Sequence, residues 1–281
     1  MWTLTGFADE ISRDLGEQIA LLNELGIKHI EFRSAWGTKV LDLSDEQLAE
    51  ARQMLDEAGI SVSSVGSDLG KIQITDPFED HLVRAAHGVE VATFFGSPSI
   101  RMFSFFIPEG EDPDSYRDEV MDRTRALVRL AEAGGVTLLH ENEKDIYGDT
   151  PQRVVDLITT IDSPNYRAIF DPANYVQCGV RPVDEAYPLV REYTDYIHCK
   201  DASASVVDAG GLNKVLPAGE GDGQFRELIE ALARDGYDGY FSLEPHLGDF
   251  DAFGGLCGPE LWTSAHTALT GLFREQGISW R

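Results

Sequence analysis

The stretch "LARDGYDGYFSLE", residues 232–244, holds the phrase on which the fold turns. A helix-like run ends, Gly236 follows, and a short run rich in aromatic residues closes on an acid, Glu244. Glycine just past a helix end supplies a left-handed cap, and the residues after it are those of a buried strand. The same phrase recurs as "LLNELGIKHIEF" (21–32), "MLDEAGISVSSV" (54–65) and "RLAEAGGVTLLHE" (129–141), and more loosely as "VATFFGSPSIRMF" (91–103).

Counting every such run predicts strands near residues 2–6, 28–33, 60–66, 98–104, 135–141, 167–171, 194–200 and 238–244. Helical patterns fill the gaps, such as "SDEQLAEARQMLDEAG" behind Ser44 and "DTPQRVVDLITTI" with Pro151 near its start. Eight strand–helix units in 281 residues predict an α/β fold: a single parallel (β/α)8 TIM barrel, one domain over 1–281. A doubly wound open sheet is the alternative. It usually has fewer strands, and no G-x-G-x-x-G follows the first run here.

The bulk numbers exclude several function classes. With 49 acidic and 23 basic residues the formal charge is −26, so nucleic acid and anionic membranes are poor partners. The opening "MWTLTGFADEIS" lacks the basic and apolar regions of a signal peptide. The most apolar stretch, "VATFFGSPSIRMFSFFI", is interrupted by Gly, Pro and Arg. Cys178, Cys199 and Cys257 show no C-x-x-C spacing. A soluble, cytoplasmic protein is expected; a homo-oligomer is compatible with all of this.

In a (β/α)8 barrel the chemistry sits at the C-terminal ends of the strands. Strands five to eight end in "TLLHENEK", "RAIFDPANY", "DYIHCKDA" and "YFSLEPHL", which put Glu141, Asp171, His198 and Glu244 at equivalent places. Side-chain alternation lets all four point inward, with Phe170, Cys199 and Leu243 facing the helices. Three converging carboxylates would repel by roughly 4 kcal/mol per pair at 4 Å and an effective dielectric near 20. Protonation or a divalent cation would relieve this, and carboxylates with one imidazole suit Mn²⁺, Mg²⁺, Co²⁺ or Zn²⁺. The sequence therefore points to one divalent metal held by Glu141, Asp171, His198 and Glu244.

These residues, with the "DPANY" tail, "IHCKDA", the "LPAGEGDG" loop and "SLEPH", resemble the xylose isomerase-like TIM barrel family. They are similar, more narrowly, to its sugar phosphate isomerase/epimerase branch. The resemblance implies a metal, usually Mn²⁺, Mg²⁺ or Co²⁺, on the four strand-end residues, with Glu141 and Glu244 also moving the substrate proton. It implies a small carbohydrate substrate and isomerase or epimerase chemistry. A keto-sugar lyase on the same site and a non-catalytic sugar-binding protein are the alternatives. Epimerases of the branch often carry a histidine where Asn174 stands. Endonuclease IV relatives need further histidines, and Ser67 and Asn174 occupy two such places.

Among the six lysines all but Lys28 fall at or beyond strand C-termini, which favours an anionic or polyhydroxylated ligand. Lys200, two residues past His198, is the foremost candidate for substrate contact, followed by Asn174, Arg101, His246 and Lys71. His140 is read as a satisfied core histidine, and the "GEGDG" segment as a mobile active-site loop.

Overall fold

The computed structural model describes residues 1–207, 213–251 and 254–281. Eight parallel strands form one sheet: β1 Thr3–Gly6, β2 His29–Phe32, β3 Ser61–Leu69, β4 Ser99–Met102, β5 Thr137–Glu141, β6 Tyr166–Phe170, β7 Thr194–Cys199 and β8 Tyr240–Leu243. Their order is β1-β8-β7-β6-β5-β4-β3-β2, which curls into a nearly closed (β/α)8 barrel. Among the described residues no ladder joins β1 to β2. The free edge of β1 pairs instead with the C-terminal residues: Trp2 N donates to Ser279 O at 3.1 Å and Leu4 N to Arg281 O at 2.9 Å.

The strand–helix phrases fold as their composition dictates. Helices α1 Leu15–Glu24, α2 Asp45–Ala58, α3 Glu79–Phe95, α4 Arg117–Gly134, α5 Pro151–Ile161, α6 Pro172–Gln177, α7 Tyr187–Val190, α8 Phe225–Arg234 and α9 Gly258–Glu275 pack outside the sheet. Ser44 caps α2 with a full capping box to Gln47, and Gly59 ends it at φ 66°. Every predicted strand is present within a few residues.

Alternation divides each strand between two cores. Phe170, Cys199 and Leu243 face outward into the layer shared with the helices. Leu139, Ile169 and Tyr196 pack inside the barrel with Tyr240. Two residues further along the same strands stand Glu141, Asp171, His198 and Ser242, so the apolar plug gives way to polar groups. Thr5 and Ser63 hydroxyls bond at 2.7 Å, and Ser63 meets the Tyr196 hydroxyl at 2.9 Å. This polar layer is the floor of the site.

Strand β3 ends in a turn that is sterically exacting. Gly70 has φ +87°, and an added Cβ would lie 2.0 Å from the Phe103 carbonyl oxygen. Its N–H donates to His81 Nε2 at 2.8 Å, which fixes the turn. Gly96 is also left-handed but meets nothing within 4 Å. Gly70→Ala should therefore cost about 2–4 kcal/mol in urea unfolding, the sum of left-handed strain and overpacking. Gly96→Ala should cost only about 1 kcal/mol. Equal losses would mean that the close approach to Phe103 is not a constraint.

Candidate metal centre

Glu141 ends β5, His198 lies in β7, and Asp171 and Glu244 directly follow β6 and β8. All four are buried, and one ligand atom from each lies within 4.8 Å of the other three. His198 Nδ1 stands 3.3 Å from Glu141 Oε1, 3.2 Å from Glu244 Oε2 and 3.8 Å from Asp171 Oδ2. Asp171 divides its oxygens: Oδ1 accepts from Asn174 N at 2.9 Å and caps α6, while Oδ2 turns toward the ring. Helix cap and ring member are thus one residue. Asn142 locks the neighbouring tips together, donating to Asp171 O at 3.0 Å and accepting from Asp171 N at 2.9 Å.

The charge balance shows what such a ring demands. Burial works against the His198 imidazolium, but Glu141, Glu31 and Glu244 outweigh it and raise its pKa well above the ordinary value. Burial likewise opposes ionisation of Glu141 and Glu244. The surrounding cations, His198 foremost for Glu141 and Lys200 for Glu244, hold both well below the usual carboxylate range. Asp171 differs: burial dominates and pushes it up to about 7. A divalent cation would take over the work of these protons and cations.

The donors fit such an ion. Three carboxylates and one imidazole are a hard, oxygen-rich set. Glu31, inside the barrel, stands with Oε2 at 3.2 Å from His198 Nε2 and accepts from Ser242 at 2.6 Å. That contact orients the ring with Nδ1 toward the carboxylates, as an outer carboxylate does for a metal-binding histidine. Asp171 Oδ2 and His198 Nδ1 both turn into the ring, where carboxylate oxygens and the imidazole nitrogen face one another at 3.2–3.8 Å.

Lys200, expected to contact substrate, also touches the ring itself. It lines the cavity, and its ammonium lies 2.9 Å from Asp171 Oδ2, 3.0 Å from Glu244 Oε2 and 4.0 Å from Glu141 Oε1. Arg101 sits 3.1 Å from Glu141 Oε2 and 3.6 Å from Glu244 Oε1. Asn174 donates to Glu141 Oε1 at 3.1 Å. His246 Nδ1 is 3.9 Å from Glu244 Oε1, and Lys71 pairs with Glu143 at 2.8 Å. All five of these residues, with Glu141 and Glu244, line one cavity of about 530 Å³ above the ring; Asp171 and His198 lie beneath its wall.

Sequence reasoning missed a second cluster behind Glu244. Arg33 is clamped by Asp9 at 2.8 and 3.0 Å and reaches Glu244 Oε1 at 3.5 Å. Glu10 accepts from His246 N at 2.8 Å and from Cys257 Sγ at 3.2 Å; burial raises it to about 8. The signal was present in "HIEFR", where alternation from Ile30 sends Glu31 and Arg33 inward together.

Two expectations need correction. The "GEGDG" segment, expected to be an active-site loop, is fastened elsewhere: the N–H groups of Gly219, Gly221 and Gly223 all donate to the Asp201 carboxylate at 2.8–3.0 Å. None of its residues lines the cavity. His140 is buried against Tyr166 as expected, yet neither ring nitrogen has a hydrogen-bond partner among the described residues. Burial accordingly lowers its pKa to about 4 and keeps it neutral.

Residues 19–263 match the family described as the xylose isomerase-like TIM barrel. The chain belongs to that family. Its relatives include the 3-dehydroshikimate dehydratase of Bacillus anthracis, 24% identical over 79% of this chain and 81% of the relative. The 2-epi-5-epi-valiolone 7-phosphate 2-epimerase of an Actinoplanes species is 29% identical over 70% of this chain and 68% of the relative. Among solved family members, a xylose isomerase-like TIM barrel protein from Mycobacterium smegmatis, in complex with magnesium, superposes with TM-score 0.69 at 22% identity. The match covers 96% of this chain and 97% of that one. Within the described residues no helix is long and apolar enough to cross a membrane.

An ammonium that touches three of the four ring members competes with any cation they share. Lys200→Met should therefore tighten Mn²⁺ binding roughly tenfold or more in calorimetry, a difference of about 1.4 kcal/mol. The same change should destabilise the chelator-treated protein by about 3–5 kcal/mol, since it leaves buried carboxylates without a partner. Unchanged Mn²⁺ affinity would show that the ammonium and the metal do not share a place.

Proposed function

We propose that the protein is a divalent-metal-dependent isomerase or epimerase of a small sugar-like substrate, with Glu141 and Glu244 as its acid–base pair. The observation that carries this reading is a division of labour within the ring. Glu141 and Glu244 line the cavity, whereas Asp171 and His198, fully buried, do not. Two groups can only hold; two can also touch a substrate.

The metal, Mn²⁺ as first choice, would be held by Glu141, Asp171, His198 and Glu244. Bound there, it supplies stabilisation of the negative charge that develops on substrate oxygens as a proton leaves the carbon beside a carbonyl. The residues of the chain do the rest. One glutamate accepts the carbon-bound proton and the other returns one, to the opposite face for epimerisation or to the neighbouring carbon for isomerisation. Arg101 and Asn174 fix the two oxygens of Glu141. Arg33 and Arg101 flank Glu244 Oε1, leaving Oε2 to Lys200 and His198. Such bracing holds each carboxylate to one orientation at the cavity floor.

A lyase reading shares the first proton transfer and differs in what leaves afterward; the dehydratase relative supports it. Product analysis separates the two.

In deuterated water with Mn²⁺, a keto-sugar panel should show deuterium entering a turned-over substrate beside its carbonyl. Glu141→Gln and Glu244→Gln should each slow turnover about a hundredfold or more while keeping the fold. Metal content must be measured in both. A variant that keeps its metal and exchanges the proton at the parent rate would remove that glutamate from the acid–base pair. Asp171→Asn combined with His198→Ala should abolish stoichiometric metal uptake by elemental analysis; retention of a full-affinity site would overturn the ligand set.

A further inference from the structure

The cavity reverses the charge of the chain that surrounds it. Acids outnumber bases by more than two to one overall, yet the wall carries eight basic side chains against four carboxylates. Five of the six lysines stand on it, Lys28 alone lying elsewhere.

Most of these cations are engaged. Arg33, Arg101 and Lys200 serve the buried acids, Lys39 and Arg84 share Asp68, and Lys71 holds Glu143. Lys144 and Lys214 are different: neither makes a hydrogen bond or ion pair with a described residue. Lys144 follows β5, and Lys214 belongs to the hairpin of Asp201–Val207 and Asn213–Leu216 that follows β7. Asn174 and Gln177 of α6 line the same wall. A concave wall with surplus positive charge concentrates anions, and two unengaged ammoniums offer a seat for one.

We infer that the substrate carries an anionic group, carboxylate or phosphate, which Lys144 and Lys214 hold at the mouth of the cavity. The placement of its reacting carbon near Glu141 and Glu244 rests on the acid–base reading above; the anion seat does not. A loop's ordinary tolerance for lysine would explain one such residue. It does not explain why nearly every lysine of an acidic chain faces one cavity.

The test is calorimetry of the Mn²⁺-loaded full chain, in parent and Lys144→Ala/Lys214→Ala forms, against four probes: D-fructose, D-fructose 6-phosphate, 5-keto-D-gluconate and inorganic phosphate. Both lysines are at least partly exposed, so the double variant should fold, and circular dichroism checks this. At least one anionic sugar should bind the parent more tightly than D-fructose, by roughly tenfold for each lysine engaged. The advantage should shrink with added salt and vanish in the double variant. Which probe gains, phosphate or carboxylate, identifies the anion. Equal binding of neutral and anionic sugars, an advantage that survives the double substitution, or no binding by any probe overturns the inference. Binding is read without turnover, so a protein that prefers anions but exchanges no proton refutes the acid–base reading alone. One that turns over neutral sugars with no anion preference refutes the anion seat alone.

Discussion

Mutual repulsion among three buried carboxylates is the constraint to which much of this molecule answers. Glu141, Asp171 and Glu244 approach one another within 4.8 Å around His198, where nearby cations hold Glu141 and Glu244 low against burial and mutual repulsion. Cations therefore close in from every available direction: Lys200 from β7's extension, Arg101 from β4, Arg33 from the end of β2. These cations in turn need anchors, which Asp9 and the face of Phe7 supply to Arg33. The result is a charge network that spans the whole top of the barrel.

The backbone makes that concentration tolerable. Parallel strands leave their C-terminal ends side by side, so residues far apart in sequence arrive at one ring without any loop having to reach. Below the ring, Leu139, Ile169 and Tyr196 pack with Tyr240 as an apolar plug. The hydroxyls of Thr5, Ser63, Tyr196 and Ser242 then grade the interior from apolar to charged. Glu31 sits at the boundary and transmits this order to His198. Orientation of the imidazole thus depends on strands β2 and β8 as much as on its own strand β7.

Belonging to the xylose isomerase-like family explains why dehydratase and epimerase relatives are found together. A proton removed beside a carbonyl commits the substrate to none of the several outcomes. The choice among them depends on where a leaving group lies and which face the returning acid meets. Those are properties of the groups that face a bound molecule, and loops held by a rigid scaffold are where such groups concentrate.

Much of this was legible in the amino-acid order. A glycine after α1, α2, α3, α4 and α8, with a β-rich run after it, defines the strand–helix unit, because left-handed caps and buried strands select those residues. An acid or histidine at the end of four consecutive runs is equally visible, since a charge at the close of an apolar strand needs a reason. Side-chain parity then put Glu141, Asp171, His198 and Glu244 on one face. Parity along a strand does not carry the direction in which a long, flexible side chain turns. Only the tertiary structure brought Lys200 back onto the carboxylates, fastened the 219–223 loop to Asp201, and joined Asp9, Glu10 and Arg33 to Glu244. Those partners come from segments far apart in the sequence, Arg33 meeting Glu244 and Glu10 meeting His246 from 236 residues away, and their choice depends on which charges the closed barrel leaves without water.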